Sequence, residues 1–300
     1  MTNFVHAKAN AKLNLYLEVL GKRQDGYHAL RSIFQAVPLY DELKVYCIAG
    51  KCECKVVCES FDLPKDNTLT KAYNGFCSCS NIDKSVCVEL EKKIPSGAGL
   101  GGGSSDAAAF LLSLNELFGN PLSSAELYKI ALTVGSDVPF FLFGKCAVVT
   151  GRGEKVYPIP SRKDLSFVLV YPEIHSSTAK AYELVDVFAS EKKILFNSTD
   201  DFGVVEKKDE QLVLELKKVY NQNVFDWNFF NSFTEPLIEN YPKIKEIICS
   251  LKTLGADFAE MTGSGSAVFG VFQNDVVAKD AYKKLCNNWQ YCYCLRSSDL

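Results

Sequence analysis

The stretch Pro95-Ser-Gly-Ala-Gly-Leu-Gly-Gly-Gly-Ser-Ser-Asp106 packs five glycines between a strand-like segment and an alanine-rich helical run. Closely spaced glycines let the backbone take φ > 0 and approach a ligand, so that successive N–H groups converge on an anion such as phosphate. The helix start adds its own unpaired N–H groups and the positive end of its dipole. Ser104 and Ser105 suit either a helix cap or a contact to phosphate and its metal. A merely flexible loop is the weaker reading, because glycines this dense are costly to order unless something binds them. Two familiar phosphate motifs fail here. Gly97-x-Gly99-x-x-Gly102 fits the dinucleotide pattern, yet the acidic residue needed about 20 positions on, at the end of a second strand, falls where the chain is still helical (Leu114 to Phe118). A Walker loop needs Gly-Lys-Ser/Thr, and no Lys follows these glycines.

Other residues could join such a site. Ala9 to Leu20 is apolar at alternate positions, a half-buried strand carrying Lys12 and Asn14 on one face. Lys12 reads equally as a solvated charge or as a partner for an anion. Asp137, between Gly135 and Pro139, reads as a turn or N-cap aspartate, or as a base held in an exposed loop. Tyr27-His28 pairs a ring that stacks on a nucleobase with a group that hydrogen-bonds its polar edge; a lone histidine would more often be structural. Seven of the twelve cysteines lie between Cys47 and Cys87. Their C-x-C spacing on a strand sends neighbouring thiols to opposite faces, which disfavours zinc and leaves free thiols acting as small hydrophobes.

These residues need a scaffold, and the composition bounds it. Three hundred residues suit two compact lobes, with a boundary near Gly151 to Lys163. A net charge of −3 offers no basic footprint for nucleic acid or an anionic membrane. The absence of an apolar run of ~18 residues and the mixed start from Met1 to Ala11 point to a cytoplasmic protein, and no obligate protein partner is evident in the sequence. Strands are expected at Glu42 to Ile48, Ser85 to Glu91, Ala147 to Thr150, Ser166 to Tyr171 and Ala267 to Phe272. Helices are expected at Asp106 to Phe118, Ala125 to Val134, Leu212 to Tyr220, Pro242 to Leu254 and Val276 to Cys286. Phe188 to Asn223 is charged and loses clear period. Strands and helices without strict alternation argue for α+β.

Pro95-x-x-x-Gly-Leu-Gly-Gly-Gly-Ser-Ser-Asp-Ala-Ala108 resembles the phosphate-binding loop of the GHMP kinases, the family of galactokinase, homoserine, mevalonate and phosphomevalonate kinases. Ala9-Asn-Ala-Lys12-Leu-Asn14-Leu and Thr262-Gly-Ser-Gly-Ser-Ala267-Val-Phe resemble two further signatures in the family's order. The likeness runs along essentially the whole chain and is specific in these segments. Asp25-Gly-Tyr27-His28, Ser32-Ile-Phe-Gln35 and Gly135-Ser-Asp137-Val-Pro-Phe-Phe are similar to the branch that phosphorylates the 2-hydroxyl of a CDP-linked methylerythritol in the non-mevalonate isoprenoid pathway. Another small-alcohol kinase of the family (homoserine or mevalonate type), or a nucleotide-binding protein without catalysis, are the alternatives.

The resemblance implies a two-lobed α+β fold. An N-terminal lobe like the second domain of ribosomal protein S5 would span 1–155, and a ferredoxin-like C-terminal lobe 156–300. It implies that ATP with Mg²⁺ binds through Pro95, Ser96, Gly97, Ala98, Gly99, Leu100, Gly101, Gly102, Gly103, Ser104 and Ser105, with Ser105 a candidate for the metal. Asn67 and Lys92 (or Lys93) would lie near the adenosine. Asp137 would accept the proton of the attacking hydroxyl, and Lys12 would keep that carboxylate ionised. Asn14, Tyr27, His28, Thr178 and Tyr182 would bind the substrate, the two tyrosines clamping the cytosine. Asn231-Ser-Phe-Thr departs from the family's usual Asn-Asp-Leu-Glu, and no role is assigned there.

Overall fold

The computed structural model describes residues 4–60, 62–192 and 205–300. The alternating N-terminal segment is strand β1 (Phe4–Lys22), paired with the long β2 (His28–Lys51). Arg23 N–H donates to the carbonyl of Tyr27 at 2.7 Å across their turn, where Gly26 takes φ +84°. Short β3 (Cys54–Val57) is followed by helix α1 (Thr68–Ser80), β4 (Lys84–Glu91) and α2 (Gly102–Leu117). Next come α3 (Ser124–Val134), α4 (Val138–Phe143), β5 (Cys146–Thr150), β6 (Lys155–Pro158) and β7 (Ser166–Tyr171). Helices α5 (Thr178–Glu191), α6 (Val205–Tyr220), α7 (Thr234–Asn240) and α8 (Pro242–Thr253) lead to β8 (Phe258–Met261) and β9 (Val268–Phe272). Helix α9 (Asp275–Leu285) and β10 (Tyr291–Arg296) close the chain.

The expected elements are present, but β2 begins fourteen residues before Glu42 and α6 seven before Leu212. Ser123 caps α3 in a capping box with Glu126, as the Ser-x-x-Glu spacing dictates. Part of the charged stretch from Phe188 to Asn223, residues 193–204, lies outside the described residues. Helix α1 escaped the sequence reading because Gly75 and its serines and cysteines are poor helix formers. Tertiary packing overrides that weakness: a Cβ on Gly75 would lie 2.6 Å from Ile130 Cγ2, so the glycine lets α1 lie close to α3.

The chain divides into two compact units. Unit 1 comprises residues 1–11, 39–96 and 101–144, and unit 2 comprises 12–38, 97–100 and 145–300. This differs from a single cut at residue 155, because the inner halves of β1 and β2 and the middle of the glycine-rich turn count with unit 2. In unit 1, β4 pairs antiparallel with the second half of β2 and parallel with β3. Its core gathers Val45, Phe76, Val88, Phe110, Leu114 and Ile130 beneath α1, α2 and α3. In unit 2, the first half of β2 pairs with β5, and β5 with β6. A second, fully antiparallel sheet has the order β10-β7-β9-β8. Helix α8 packs on β8 and β9, and α9 packs on β7, β9 and β10. That strand order and helix placement make the ferredoxin-like split βαβ arrangement. All twelve cysteines are free thiols.

Candidate active site

The glycine-rich turn is built as the sequence requires. Gly97, Gly99 and Gly101 take φ of +69°, +80° and +72°. An L side chain resists such values. Gly101 is the N-cap of α2 and provides no side-chain cap, which leaves the first N–H groups of the helix to an anion. The chain passes from unit 1 into unit 2 at Gly97 and back at Gly101. Within unit 2, the turn meets the late glycine segment at backbone distance. A Cβ on Gly99 would lie 2.3 Å from the carbonyl oxygen of Thr262, and one on Gly263 would lie 2.8 Å from that of Gly99. Ala267 N–H donates to the carbonyl of Ala98 at 3.1 Å, and Lys12 N–H to that of Leu100 at 3.0 Å. His175 flanks the same turn, its Nδ1 2.5 Å from where a Cβ on Gly97 would stand.

Lys12 is not a solvated lysine: its residue is 4% exposed. Its ammonium donates to Asn14 Oδ1 and lies 4.8 Å from the centre of the Phe34 ring. Asn14 is fully buried, donating Nδ2–H to Ser32 Oγ at 2.9 Å and its backbone N–H to Thr262 Oγ1 at 2.9 Å. Thr178, the first residue of α5, places its hydroxyl 3.1 Å from that of Ser264. Lys12, Asn14 and Thr178 therefore all reach the late glycine segment or its immediate contacts inside unit 2.

Tyr27, His28 and Tyr182 share a cavity of about 330 Å³, together with Arg152 and Asp186. The ring of His28 stacks on Tyr182 at 4.8 Å between centroids and 15° between planes, and its Nε2 lies 2.7 Å from Asp186 Oδ1. Tyr182 also meets Phe233 edge-on at 4.9 Å. Tyr27 stays 57% exposed, with the Arg152 guanidinium 5.1 Å from its ring centre. The ring on the face of Tyr182 is that of His28, and Tyr27 lines the same cavity. Asp186 and Arg152 carried no sequence signal, since a lone charge on a helix or turn reads as surface.

In unit 1, Asp137 is the half-buried N-cap residue of α4 and makes no side-chain capping bond. Asn67 caps α1: its Oδ1 accepts from the N–H groups of Leu69 at 2.9 Å and Thr70 at 3.0 Å. It lines a cavity of about 600 Å³ with Val56, Val57, Pro64 and Thr70. Lys92 is committed to a buried pair of carboxylates. Its ammonium donates to Asp41 Oδ2 and, at 2.8 Å, to Asp106 Oδ2. Lys93 is the exposed neighbour, paired with Glu42 at 2.6 Å. Burial works against the charge of Lys92, but the two carboxylates outweigh it and raise its pKa. Burial likewise pushes the Asp106 carboxyl up to about 7, with Lys92 pulling it back and Asp41 adding to the rise. Asp41 is a residue the sequence reading passed over, because its partners lie fifty and more positions away. A larger cavity of about 660 Å³ in unit 2, lined by apolar faces of α5, α7 and α8, takes in none of the expected site residues.

A glycine-rich turn at a helix start, a buried lysine on the N-terminal strand signature and a ferredoxin-like sheet match what the resemblance to a class of small-molecule kinases implies. The chain belongs to the GHMP kinases. The model of the GHMP kinases N terminal domain matches residues 67–145, and that of the GHMP kinases C terminal domain matches 205–290. A 4-diphosphocytidyl-2-C-methyl-D-erythritol kinase from Treponema pallidum (strain Nichols) is 39% identical over 296 residues, covering 96% of each chain. One of the same name from Thermodesulfovibrio yellowstonii is 36% identical, covering 94% of each. A crystal structure of 4-(cytidine 5'-diphospho)-2C-methyl-D-erythritol kinase superposes with a TM-score of 0.76 at 30% identity, covering 97% of this chain and 98% of its own. Homoserine kinase from Cytophaga hutchinsonii, at 17% identity and a TM-score of 0.73 over 99% of this chain and 97% of its own, shares the fold. ATP is the phosphoryl donor of this family's kinases, and the acceptor is a small molecule. Among the described residues, no helix is long and apolar enough to cross a membrane.

Proposed function

We propose that the protein transfers the γ-phosphoryl of ATP to the 2-hydroxyl of 4-(cytidine 5'-diphospho)-2-C-methyl-D-erythritol, giving the 2-phosphate and ADP in the non-mevalonate isoprenoid pathway. The observation that carries the acceptor is the cavity of Tyr27, His28 and Tyr182, an aromatic stack with a polar edge, in a chain whose full-length relatives bear that kinase's name. The pyrimidine takes the stacking faces of this cavity, and His28, oriented by Asp186, reads its polar edge. Asn14 and Thr178 hold the alcohol end. Residues 95–105 cradle the phosphates, and the cavity beside Asn67 takes the adenosine.

In the reaction the hydroxyl oxygen bonds to the γ-phosphorus, the bond to the bridging β–γ oxygen breaks, and ADP leaves. Asp137 takes the hydroxyl proton, and the buried ammonium of Lys12 offsets the negative charge of the reacting groups. The hydroxyls of Ser104 and Ser105 at the start of α2 are oxygen donors of the kind Mg²⁺ prefers. Ser105 would hold the ion with the ATP phosphates, and the ion would neutralise their charge. Along the chain the family's two lobes run as residues 1–155 and 156–300, although the compact units interleave across that boundary, and the protein works in the cytoplasm. Coupled ADP release with the CDP-linked alcohol, the bare methylerythritol, mevalonate and homoserine tests the reading. The CDP-linked alcohol should be the fast substrate; comparable turnover of the bare alcohol would remove the cytidine subsite, and faster turnover of mevalonate or homoserine would sink the assignment.

A further inference from the structure

We propose that Asp41, Lys92 and Asp106 form a buried clasp that ties together the two ends of the glycine-rich turn and holds it ready for the ATP phosphates. The inference rests on the reading of residues 95–105 as the ATP turn. All three side chains are withdrawn from water, at 0%, 9% and 4% exposure respectively. Asp41, at the middle of β2, is the hub. Its Oδ1 accepts the backbone N–H groups of Lys93 and, at 2.8 Å, Ile94, the residues that lead into Pro95. Its Oδ2 accepts from Lys92, and Lys92 reaches on to Asp106 just beyond the turn, in the second turn of α2. The entrance and exit of the turn are thereby fixed to one strand through one ammonium. The same ammonium lies 3.2 Å from where a Cβ on Gly102 would stand, directly against the start of α2.

Stability alone does not account for this arrangement. Burying three charges costs desolvation that apolar side chains of the same volume avoid, and such replacements are often neutral or stabilising. What an apolar core cannot do is fix the direction of a hydrogen-bonded backbone. The five glycines in residues 95–105 carry a large conformational entropy that would otherwise be lost when the phosphates bind. A turn whose ends are pinned has lost part of it already, and pre-organisation of this kind appears as affinity. The clasp is therefore a positioning device, and Lys92 acts on ATP through the turn and not by touching the adenosine.

The triple variant Asp41→Asn, Lys92→Met, Asp106→Asn removes the charges, keeps the side-chain shapes and retains an acceptor for the N–H groups of residues 93 and 94. It should raise the KM for ATP about tenfold or more, equivalent to the loss of a single ordering contact, with kcat and the KM for the alcohol nearly unchanged. Without ATP, amide hydrogen exchange should accelerate at residues 97–104 and stay slow in β4 and α1. Should the triple variant fail to fold, Asp106→Asn alone carries the same two readouts. Exchange that accelerates evenly through unit 1, with a normal KM for ATP in the protein that remains folded, would make the cluster a stability element and overturn the proposal. Unchanged exchange and unchanged KM would overturn it equally. Wild-type protein that did not use ATP would sink the kinase reading instead, leaving the exchange pattern to judge the clasp.

Discussion

A carboxylate at the head of a helix ordinarily spends an oxygen on the first N–H groups of that helix, and Asp137 does not. Capping α4 is therefore not what its carboxylate serves. A base positioned on the hydroxyl contributes about 10²–10⁴-fold, so Asp137→Asn should cut kcat on that scale while both KM values hold; a loss confined to KM would make Asp137 a binding residue. Tyr182 is tested by a different split. Tyr182→Ala removes the platform on which His28 rests, and stacking is worth roughly 1–3 kcal/mol per base. The KM for the CDP-linked alcohol should rise accordingly with that for ATP unmoved, whereas a parallel rise in both would mean that unit 2 had lost its packing. At this scale the sequence was legible where a residue sits inside a dense motif. Lys12, Asn14 and Tyr27-His28 stand out as candidates that way. Asp41, Asp186 and His175 do not, because each acquires its meaning from partners remote in the chain.

The glycines divide into those that answer a shape and those that answer a neighbour. Gly26 has φ +84° and open space around its missing Cβ. A side chain there meets only the strain of a left-handed residue, roughly 1–2 kcal/mol. Gly99→Ala adds a carbon 2.3 Å from a backbone oxygen that no side-chain rotation relieves. It should abolish measurable ATP saturation even if the protein still melts cooperatively, and retention of a normal KM for ATP would detach this turn from the site. Strand β8 offers a second, pH-dependent test through Glu260. Burial raises its carboxyl pKa above the ordinary 4.5, although Thr234 and the Met261 N–H donate to it. The folded state therefore favours the protonated acid. This residue's stabilising contribution is complete below pH 4.5 and fades as pH rises through the raised value. Glu260→Gln keeps the acceptor and cannot ionise; its urea midpoint should not share that decline, and identical pH profiles would refute the argument. Elements with strong period, such as α2, α3, α8 and β1, were legible from sequence. Helix α1 and the short α4 were not, since tertiary contacts rather than propensity hold them.

For the whole molecule, the strand order β10-β7-β9-β8 could not be read from local pattern, because pairing between β7 and β10 joins segments more than a hundred residues apart. The family likeness supplied it, but not the interleaving of the compact units along the chain. One consequence concerns modularity. The backbone contacts of Ala98 and Gly99 lie with Thr262 and Ala267, near the far end of the sequence. A gene cut after residue 155 would encode every residue of the glycine-rich turn and the Lys12 N–H that holds Leu100, yet not the Ala267 N–H that holds Ala98. Residues 1–155 produced alone should therefore leave the turn unset and fail to retain ATP, and co-production with residues 156–300 should restore retention. The donor site is in this sense a joint product of both ends of the chain, so recombination that swaps the C-terminal half to change the acceptor must carry over a glycine at 263, whose Cβ would meet Gly99, and the backbone path that brings the N–H of residue 267 to Ala98, or donor use is lost along with acceptor choice.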